Sequence, residues 1–209
     1  GCADEDSSDY ILVAHPSICE QDPDPAMTID PWNATVKHLW LYRNNLHGSI
    51  PDELALLTSL RSLSLHTNSL TGSIPTTISQ LSFFESINLS DNLLTGEIPS
   101  ELGLMTDYLY SVVAINNQIG GSLPTELGQL TWLYDFLVDE NLIMGTIPTE
   151  WSNMTSLVWL YLSRNQLTGT LPSSLANNPE LQELLVDYNH LTGTIPSELG
   201  LLSNAYWLY

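Results

Sequence analysis

The feature that most constrains the fold of this chain is an Asn that recurs every 24 or 25 positions. Around each Asn, apolar residues lie five and three positions earlier, Gly lies four positions later, and Pro lies seven positions later. We call each repeat a coil and number the coils one to seven by their aligned Asn. These residues are Asn44, Asn68, Asn92, Asn117, Asn141, Asn165 and Asn189. A fixed period of this length indicates a repeat architecture, in which each unit buries its apolar face only by stacking on its neighbours.

Each repeat carries the residues that one coil of a solenoid needs. The L-x-L pattern before the Asn predicts a short strand whose apolar side chains point inward. The Asn amide is predicted to satisfy backbone groups at the following turn and to form a ladder from coil to coil. Gly permits a tight bend or a positive φ, and Pro suits the start of a second extended segment. The later L-x-x-L spacing predicts a 3₁₀ or short helical turn.

The frame LxxLxLxxNxLxGxIPxxLxxLxx resembles the plant-type leucine-rich repeat over about residues 36–209. It is similar to the ectodomains of plant-type receptor-like kinases and to polygalacturonase-inhibiting proteins. The resemblance implies an α/β-type solenoid: a curved right-handed superhelix with a parallel β-sheet on the concave face, a second short sheet beside it, and short 3₁₀ or helical turns on the convex side. We expect an acidic N-terminal cap segment over 1–35, and a solenoid over 36–209 with seven full repeats plus the start of an eighth.

The N-terminal segment departs from the cap of this family, which usually carries paired cysteines near a Trp. Trp32 has no cysteine nearby, and Cys2 and Cys19 are the two cysteines of the chain. We expect a disulfide between them, which favours an oxidising, extracellular location. Three N-x-[ST] glycosylation sequons indicate secretion or a cell-surface location as well. They lie at Asn33, Asn88 and Asn153.

Charge and hydropathy exclude several classes of partner. With 4 Lys and Arg against 24 Asp and Glu, the formal net charge is −20. General binding to nucleic acid or to an anionic membrane surface needs a positive field, so we expect neither. The charge favours cationic partners, ions included. The sequence also lacks an apolar run of about 18 residues, so we expect no membrane insertion of this segment.

Motifs for catalysis or cofactor binding are not found in the sequence. There is no H-E-x-x-H, no G-x-S-x-G and no phosphate-binding Gly loop, so we predict neither enzyme activity nor a cofactor. His38 and His66 lie on neighbouring coils and could share a metal ion. Because pairs of surface histidines are more often ordinary polar residues, we predict no metal site.

The positions six, four and two residues before each Asn are predicted to point outward onto the concave face, because side chains alternate along a strand. Coils two and three place mainly serines there, and the sequon Asn88 falls in this zone, where a glycan would occupy the middle of the face. From coil four onward, the column four residues before the Asn becomes apolar over about 19 Å. This apolar lane comprises Val113, Leu137, Tyr161, Leu185 and Tyr209. The acidic residues beside it are Asp135, Asp139, Glu183 and Asp187.

An apolar strip on a solvent-facing surface usually marks an interface, and aromatic residues with a polar tip suit protein or sugar contacts. The same register predicts that Leu137 is solvent-facing while its neighbour Val138 is in the core. The predicted ligand-binding residues are Trp40, Tyr42, Val113, Leu137, Tyr161, Leu185, Trp159, Trp207, Tyr209, Asp135, Asp139 and Asp187.

Two functions fit these features. The first is a non-catalytic extracellular recognition module that binds a protein, peptide or glycan through its concave face. The alternative is a structural glycoprotein subunit of a cell-surface or extracellular assembly or filament. The aromatic and apolar rung 206–209 leads us to expect either self-association or continuation of the natural chain at this end.

Overall fold

The computed structural model describes residues 35–209. The predicted Cys2–Cys19 disulfide, the sequon at Asn33 and the predicted cap segment up to residue 34 lie outside the described residues. In the described part, each repeat forms one coil made of a short strand, a turn at the Asn, an extended segment and a 3₁₀ helix.

The secondary structure elements recur once per coil. The strands in chain order are β1 (His38–Trp40), β2 (His47–Ser49), β3 (Ser62–Ser64), β4 (Ser69–Thr71), β5 (Ser86–Asn88), β6 (Ser111–Val113), β7 (Asp135–Leu137), β8 (Met144–Gly145), β9 (Trp159–Tyr161), β10 (Gln166–Leu167), β11 (Glu183–Leu185) and β12 (Trp207–Leu208). The 3₁₀ helices are Asp52–Leu56, Thr76–Gln80, Ser100–Leu104, Thr125–Gln129, Thr149–Asn153, Ser173–Asn177 and Ser197–Leu201.

The strands form one main parallel sheet of eight strands in the order β1-β3-β5-β6-β7-β9-β11-β12. Its register advances by one coil per strand, so the central residues Leu63 and Ile87 pair, as do Phe136 and Leu160. Two two-stranded parallel sheets, β2 with β4 and β8 with β10, lie in the segment that follows the Asn. This confirms the parallel sheet and the second short sheet that the family resemblance implies.

Proline sets the start of each 3₁₀ helix. The seven aligned prolines are extended residues with φ between −77° and −62°, and the 3₁₀ helix begins at the next residue. The prediction that Pro starts a second extended segment was wrong, since the extended segment precedes the Pro and a helix follows it. The reason is that the fixed φ of Pro is compatible with a helix start, where its missing N–H is not needed. Gly103 shows how closely successive 3₁₀ helices approach, since a Cβ on it would lie 2.5 Å from the carbonyl oxygen of Glu126.

The aligned Asn residues form the predicted ladder. The Nδ2 of Asn141 donates to the carbonyl oxygens of Val138 and Asp139 in its own coil and of Ala114 in the preceding coil, at 2.8–3.1 Å. Its Oδ1 accepts the N–H of Ile119 at 3.0 Å. This pattern repeats at Asn68, Asn92, Asn117, Asn165 and Asn189. One side chain thus supplies both the turn and part of the contact between coils.

Apolar side chains from every coil fill a continuous core behind the main sheet. Two residues that depart from the repeat consensus are accommodated within it. Trp151 is fully buried, packs edge to face against Phe136 at 5.1 Å and donates its indole N–H to the Pro124 carbonyl at 2.9 Å. Asn178 is also fully buried, and its Nδ2 donates to the Trp151 carbonyl at 3.2 Å. The two substitutions therefore interact across neighbouring coils.

Candidate ligand-binding face

The concave face is formed by residues on both sides of the buried middle position of each strand. Across the sheet they align in columns, because every strand pairs with the next in the same register. The first strand position gives the column His38, Ser62, Ser86, Ser111, Asp135, Trp159, Glu183 and Trp207. The third gives Trp40, Ser64, Asn88, Val113, Leu137, Tyr161 and Leu185.

The apolar lane is continuous across the four strands β6, β7, β9 and β11. Val113 pairs with Leu137, Leu137 with Tyr161, and Tyr161 with Leu185. Backbone hydrogen bonds between Tyr209 and coil seven extend the ladder to the final residue, including Val186 N to the Tyr209 carbonyl at 2.7 Å. The predicted residues are therefore brought together in one row.

Leu137 is less accessible than predicted. It is 7% exposed, although it does not belong to the core cluster behind the sheet. The reason is its position between the larger side chain of Tyr161 and that of Val113, which lie one rung away on either side. The prediction placed Leu137 outside the core behind the sheet, which is correct. It also made Leu137 accessible to solvent, which is wrong.

The acidic residues beside the lane accept hydrogen bonds from neighbouring coils. Asp135 accepts the hydroxyl of Ser111 at 2.5 Å, and Asp139 accepts the backbone N–H of Ser163 at 2.7 Å. The Ser163 hydroxyl donates to Asp187. Asp139 is only 9% exposed. The predicted acidic flank is thus partly built into the sheet rather than free in solvent.

Burial raises the pKa of Asp139 to about 7 from an ordinary value of 3.8, and the nearby carboxylates of Asp187 and Glu140 act in the same direction. The backbone hydrogen bond from Ser163 opposes this shift. Asp139 therefore changes charge near neutral pH, on the edge of the apolar lane.

This shift predicts a pH dependence of stability. Asp139 loses its proton near pH 4 in the unfolded chain and near pH 7 in the folded chain, so the folded state binds more protons between these values and the free energy of unfolding falls as the pH rises. The variant Asp139→Asn does not titrate, so it should match the wild type at acidic pH and become more stable than the wild type as the pH rises to 8, by about 1.4 kcal/mol for each unit by which folding raises the pKa of Asp139. Urea unfolding of both proteins across this range measures it, and parallel pH profiles would contradict it.

The sequence analysis missed a hydrogen-bonded group centred on Glu183. Glu183 is 6% exposed; Tyr161 donates its hydroxyl to Oε2, and Tyr206 donates to Oε1 at 2.6 Å. Burial and the Glu183 carboxylate raise the pKa of Tyr161, so this phenol keeps its proton. A sequence signal existed, since Tyr110 and Tyr134 occupy the same repeat position as Tyr206, one residue before the strand.

The predicted residues of coil one form a separate group. The rings of Tyr42 and His66 stack at 4.6 Å, and the indole N–H of Trp40 donates to Ser62 Oγ at 3.2 Å. His38 packs against Trp40 at 5.6 Å. Burial lowers the pKa of His66, as does Arg43, against an opposing effect of Asp91. Trp40 and Tyr42 are therefore exposed aromatics apart from the apolar lane.

Small polar side chains separate these two groups. Ser86 donates to Ser62 Oγ at 3.0 Å, and Asn88 Oδ1 accepts the Ser90 N–H at 3.1 Å. The sequon Asn88 thus lies within the main sheet, half-buried, whereas the sequon Asn153 is exposed at the end of a 3₁₀ helix. Glycosylation of either residue stays a prediction.

Other kinds of site were sought over residues 35–209. No group of three or more His, Cys, Asp and Glu side chains in this range is placed to hold a metal ion. None of the helices in this range has the length and apolar character that crossing a membrane requires. A groove of about 450 Å³ lies away from the main sheet, between residues 73–76, 97–101 and 122–126.

Family models match two parts of the solenoid. The descriptions "Leucine Rich Repeat" and "Leucine rich repeat" apply to residues 35–57, 59–81 and 83–105, and to residues 128–191. Together these segments cover more than half of the chain. The chain belongs to the leucine-rich repeat family. Among curated proteins, no sequence matches this leucine-rich repeat chain.

Solved structures similar to this leucine-rich repeat solenoid include two plant receptors. The plant peptide hormone receptor RGFR1, in complex with RGF2, is 41% identical over 82% of the chain, with a TM-score of 0.81 and 27% of its own length covered. The Arabidopsis receptor kinase HAESA, in complex with the peptide hormone IDA and the co-receptor SERK1, is 34% identical over 82% of the chain, with a TM-score of 0.79 and 29% covered.

A bacterial protein is similar as well. A leucine-rich repeat protein of Leptospira interrogans is 32% identical over 82% of the chain, with a TM-score of 0.67 and 42% of its own length covered. The chain spans between 20% and 29% of the length of five plant receptors that it matches. The similarity therefore concerns a block of repeats within those longer proteins.

Proposed function

We propose that this chain is an extracellular or cell-surface recognition module without catalytic activity, and that it binds a peptide or a protein segment through the concave face of coils four to seven. The observation that carries the proposal is the apolar lane Val113–Leu137–Tyr161–Leu185, which continues unbroken through paired strands. A row of side chains on parallel strands offers regularly spaced apolar contacts to an extended segment.

The charge of the concave face restricts the kinds of ligand that can bind there. The three outward columns of the concave face contain no Lys or Arg, whereas Asp135, Asp139, Glu183 and Asp187 line coils five to seven. The ligand that complements this face has apolar side chains with basic residues among them. The similarity to RGFR1 and HAESA, both solved with peptide hormones, supports a peptide as the ligand.

The test begins with a library of random linear peptides displayed on phage and selected against the folded chain. We expect enriched peptides to combine Lys or Arg with apolar residues. Their affinity for the wild type and for the double variant Val113→Ser/Leu185→Ser is then measured by calorimetry. Because both residues are half-buried on the lane, the double variant should bind at least about tenfold more weakly, since each truncated contact costs about 1 kcal/mol or more.

A matched control carries the same chemistry on another surface. Leu56 and Leu104 are 76% and 70% exposed and lie at the ends of 3₁₀ helices. The variant Leu56→Ser/Leu104→Ser should bind the selected peptides as the wild type does. If the lane variant and the control lose affinity equally, or if neither loses any, the lane is not the binding surface.

The structural-glycoprotein alternative remains a prediction, with glycans on several faces and contacts between copies of the chain. Tyr206, Trp207, Leu208 and Tyr209 are each about half exposed or more, which suits contact with a further protein surface. Sedimentation velocity of the chain, with and without a selected peptide, separates the two functions. A monomer that binds peptide at the lane favours recognition.

A further inference from the structure

At the end of the concave face, four aromatic residues flank Glu183 and Leu185. In one column, Glu183 lies between Trp159 and Trp207, which are its pairing partners on the strands to either side. In the other, Tyr161 pairs with Leu185, and Tyr209 follows on the next strand. We call Trp159, Trp207, Tyr161, Tyr209 and Glu183 the aromatic–acid array.

The indole rings of the array pack against neighbouring aromatic rings and leave accessible surface. Trp159 packs edge to face with Tyr134 at 5.3 Å, and Trp207 does so with Tyr206 and Tyr209 at 5.9 and 6.4 Å. Trp207 and Tyr209 remain 49% and 65% exposed. Trp159 and Trp207 stand two rungs apart, about 9–10 Å at the backbone. That spacing admits a planar group of the thickness of one ring above Glu183, which lies between them.

The centre of the array carries a negative charge that neutral groups hold in place. Glu183 is buried and accepts hydroxyl protons from Tyr161 and Tyr206. The ion pairs Arg61–Glu85 and Arg164–Glu140 use other carboxylates. A carboxylate removed from water, with hydroxyl donors alone, attracts a cation strongly because the local dielectric constant is low.

We infer that the aromatic–acid array is a binding site for an arginine side chain of the ligand. An aromatic face attracts a cation through its quadrupole, and a guanidinium group also stacks on the ring because it is planar. Asp187, two residues after Leu185 in the chain, adds a second carboxylate to the same face. This inference rests on the proposed function, since it names one residue type that the bound peptide carries.

Arginine fits the array better than lysine or a sugar because it is both charged and planar. Lysine would gain the charge attraction but not the planar stacking. A sugar ring would stack on the aromatics as well, but it is neutral and would gain nothing from the negative charge of the array. The charge of the surrounding face, with Asp135, Asp139 and Asp187, also disfavours a neutral ligand relative to a cation.

The test uses small probes that do not depend on finding a natural ligand. N-acetyl-arginine amide and its neutral isostere N-acetyl-citrulline amide are titrated into the full chain, and the indole N–H signals of the tryptophans are followed by NMR. We expect saturable shifts with the arginine probe at the signals that the Trp159→Phe and Trp207→Phe variants identify. The citrulline probe should bind at least about tenfold more weakly, because it lacks the charge.

Variants of the protein then assign the effect to the array. Glu183→Gln keeps an acceptor for one tyrosine and removes the charge, and it should weaken arginine binding about tenfold. Trp132→Ala is the control, since Trp132 is an exposed indole after a 3₁₀ helix and is not a member of the array, and it should leave binding unchanged. A circular dichroism spectrum equal to that of the wild type ensures that each variant is folded.

The outcomes separate this inference from the proposed function. Equal binding of the two probes, unchanged arginine binding by Glu183→Gln, or binding of methyl glucoside in place of arginine would overturn the array as an arginine site. If the arginine probe binds the array while the lane variant binds the selected peptides as tightly as the wild type does, the lane proposal fails and the array stands. If peptides need the lane but the arginine probe does not bind, only the array fails.

Discussion

Replacing Asn141 by Ala should lower the free energy of unfolding by about 4 kcal/mol, because four hydrogen bonds are lost at about 1 kcal/mol each. Three of them join its Nδ2 to carbonyl oxygens in two coils, and the fourth joins its Oδ1 to the N–H of Ile119. Ile119 is fully buried, so its N–H cannot turn to water once the amide is gone. Urea unfolding followed by circular dichroism measures the loss.

Two comparisons make this prediction specific to the ladder. Asn44 is exposed, and its side chain donates to Leu41 and Tyr42 of its own coil, so Asn44→Ala should cost about 1 kcal/mol or less. Asn141→Asp keeps the acceptor for Ile119 but aims a carboxylate at three carbonyl oxygens, and it should cost at least as much as Asn141→Ala. Similar losses at Asn44 and Asn141 would show that the ladder contributes little between coils.

The repeat could be predicted from the sequence because its constraints fall on single residue types. The Asn at each turn, the Gly with positive φ and the Pro before each 3₁₀ helix are fixed by backbone requirements that few other residues meet. The seven aligned glycines have φ between 70° and 89°. The strand register followed from the same positions, so the columns of the concave face were correctly predicted in order.

A second backbone requirement left no signal in the sequence. The residue before each aligned Asn also has a positive φ, between 51° and 57°. These residues are Arg43, Thr67, Asp91, Asn116, Glu140, Arg164 and Tyr188. They share no chemistry, because the Asn ladder and the strand hydrogen bonds on either side impose the conformation whatever the side chain. A pattern of residue types therefore could not reveal it.

Burial of a side chain on the concave face depends on the side chains of the adjacent coils rather than on its position in the repeat. The sequence therefore predicted which residues share this face but not which of them are accessible. Leu137 is shielded because Val113 and Tyr161 flank it, and Glu183 is buried because two phenols reach over it. A column of outward positions says which side chains share a face, but their size and hydrogen bonding decide which of them a ligand can touch. Those contacts join residues about one repeat apart.

Replacing Val138 by Ser should lower the free energy of unfolding by about 3 kcal/mol, because the change leaves a cavity and an unpaired hydroxyl in the core. Val138 is fully buried within the core cluster. Its neighbour Leu137 is nearly as inaccessible, but it lies on the opposite side of the sheet. Leu137→Ser should cost only about 1–2 kcal/mol, since its hydroxyl can reach water at the concave face and the lost contacts are with Val113 and Tyr161.

Urea unfolding of the two variants under identical conditions measures this difference. The residues are adjacent in the chain and both are inaccessible, so accessibility alone predicts equal losses, whereas the alternation of side chains along a strand predicts a larger loss at Val138. The denaturant dependence of each transition should match that of the wild type, which shows that the same surface is exposed on unfolding. A loss at Leu137 equal to that at Val138 would mean that the lane is a second core, and therefore not a surface on which a ligand can be received.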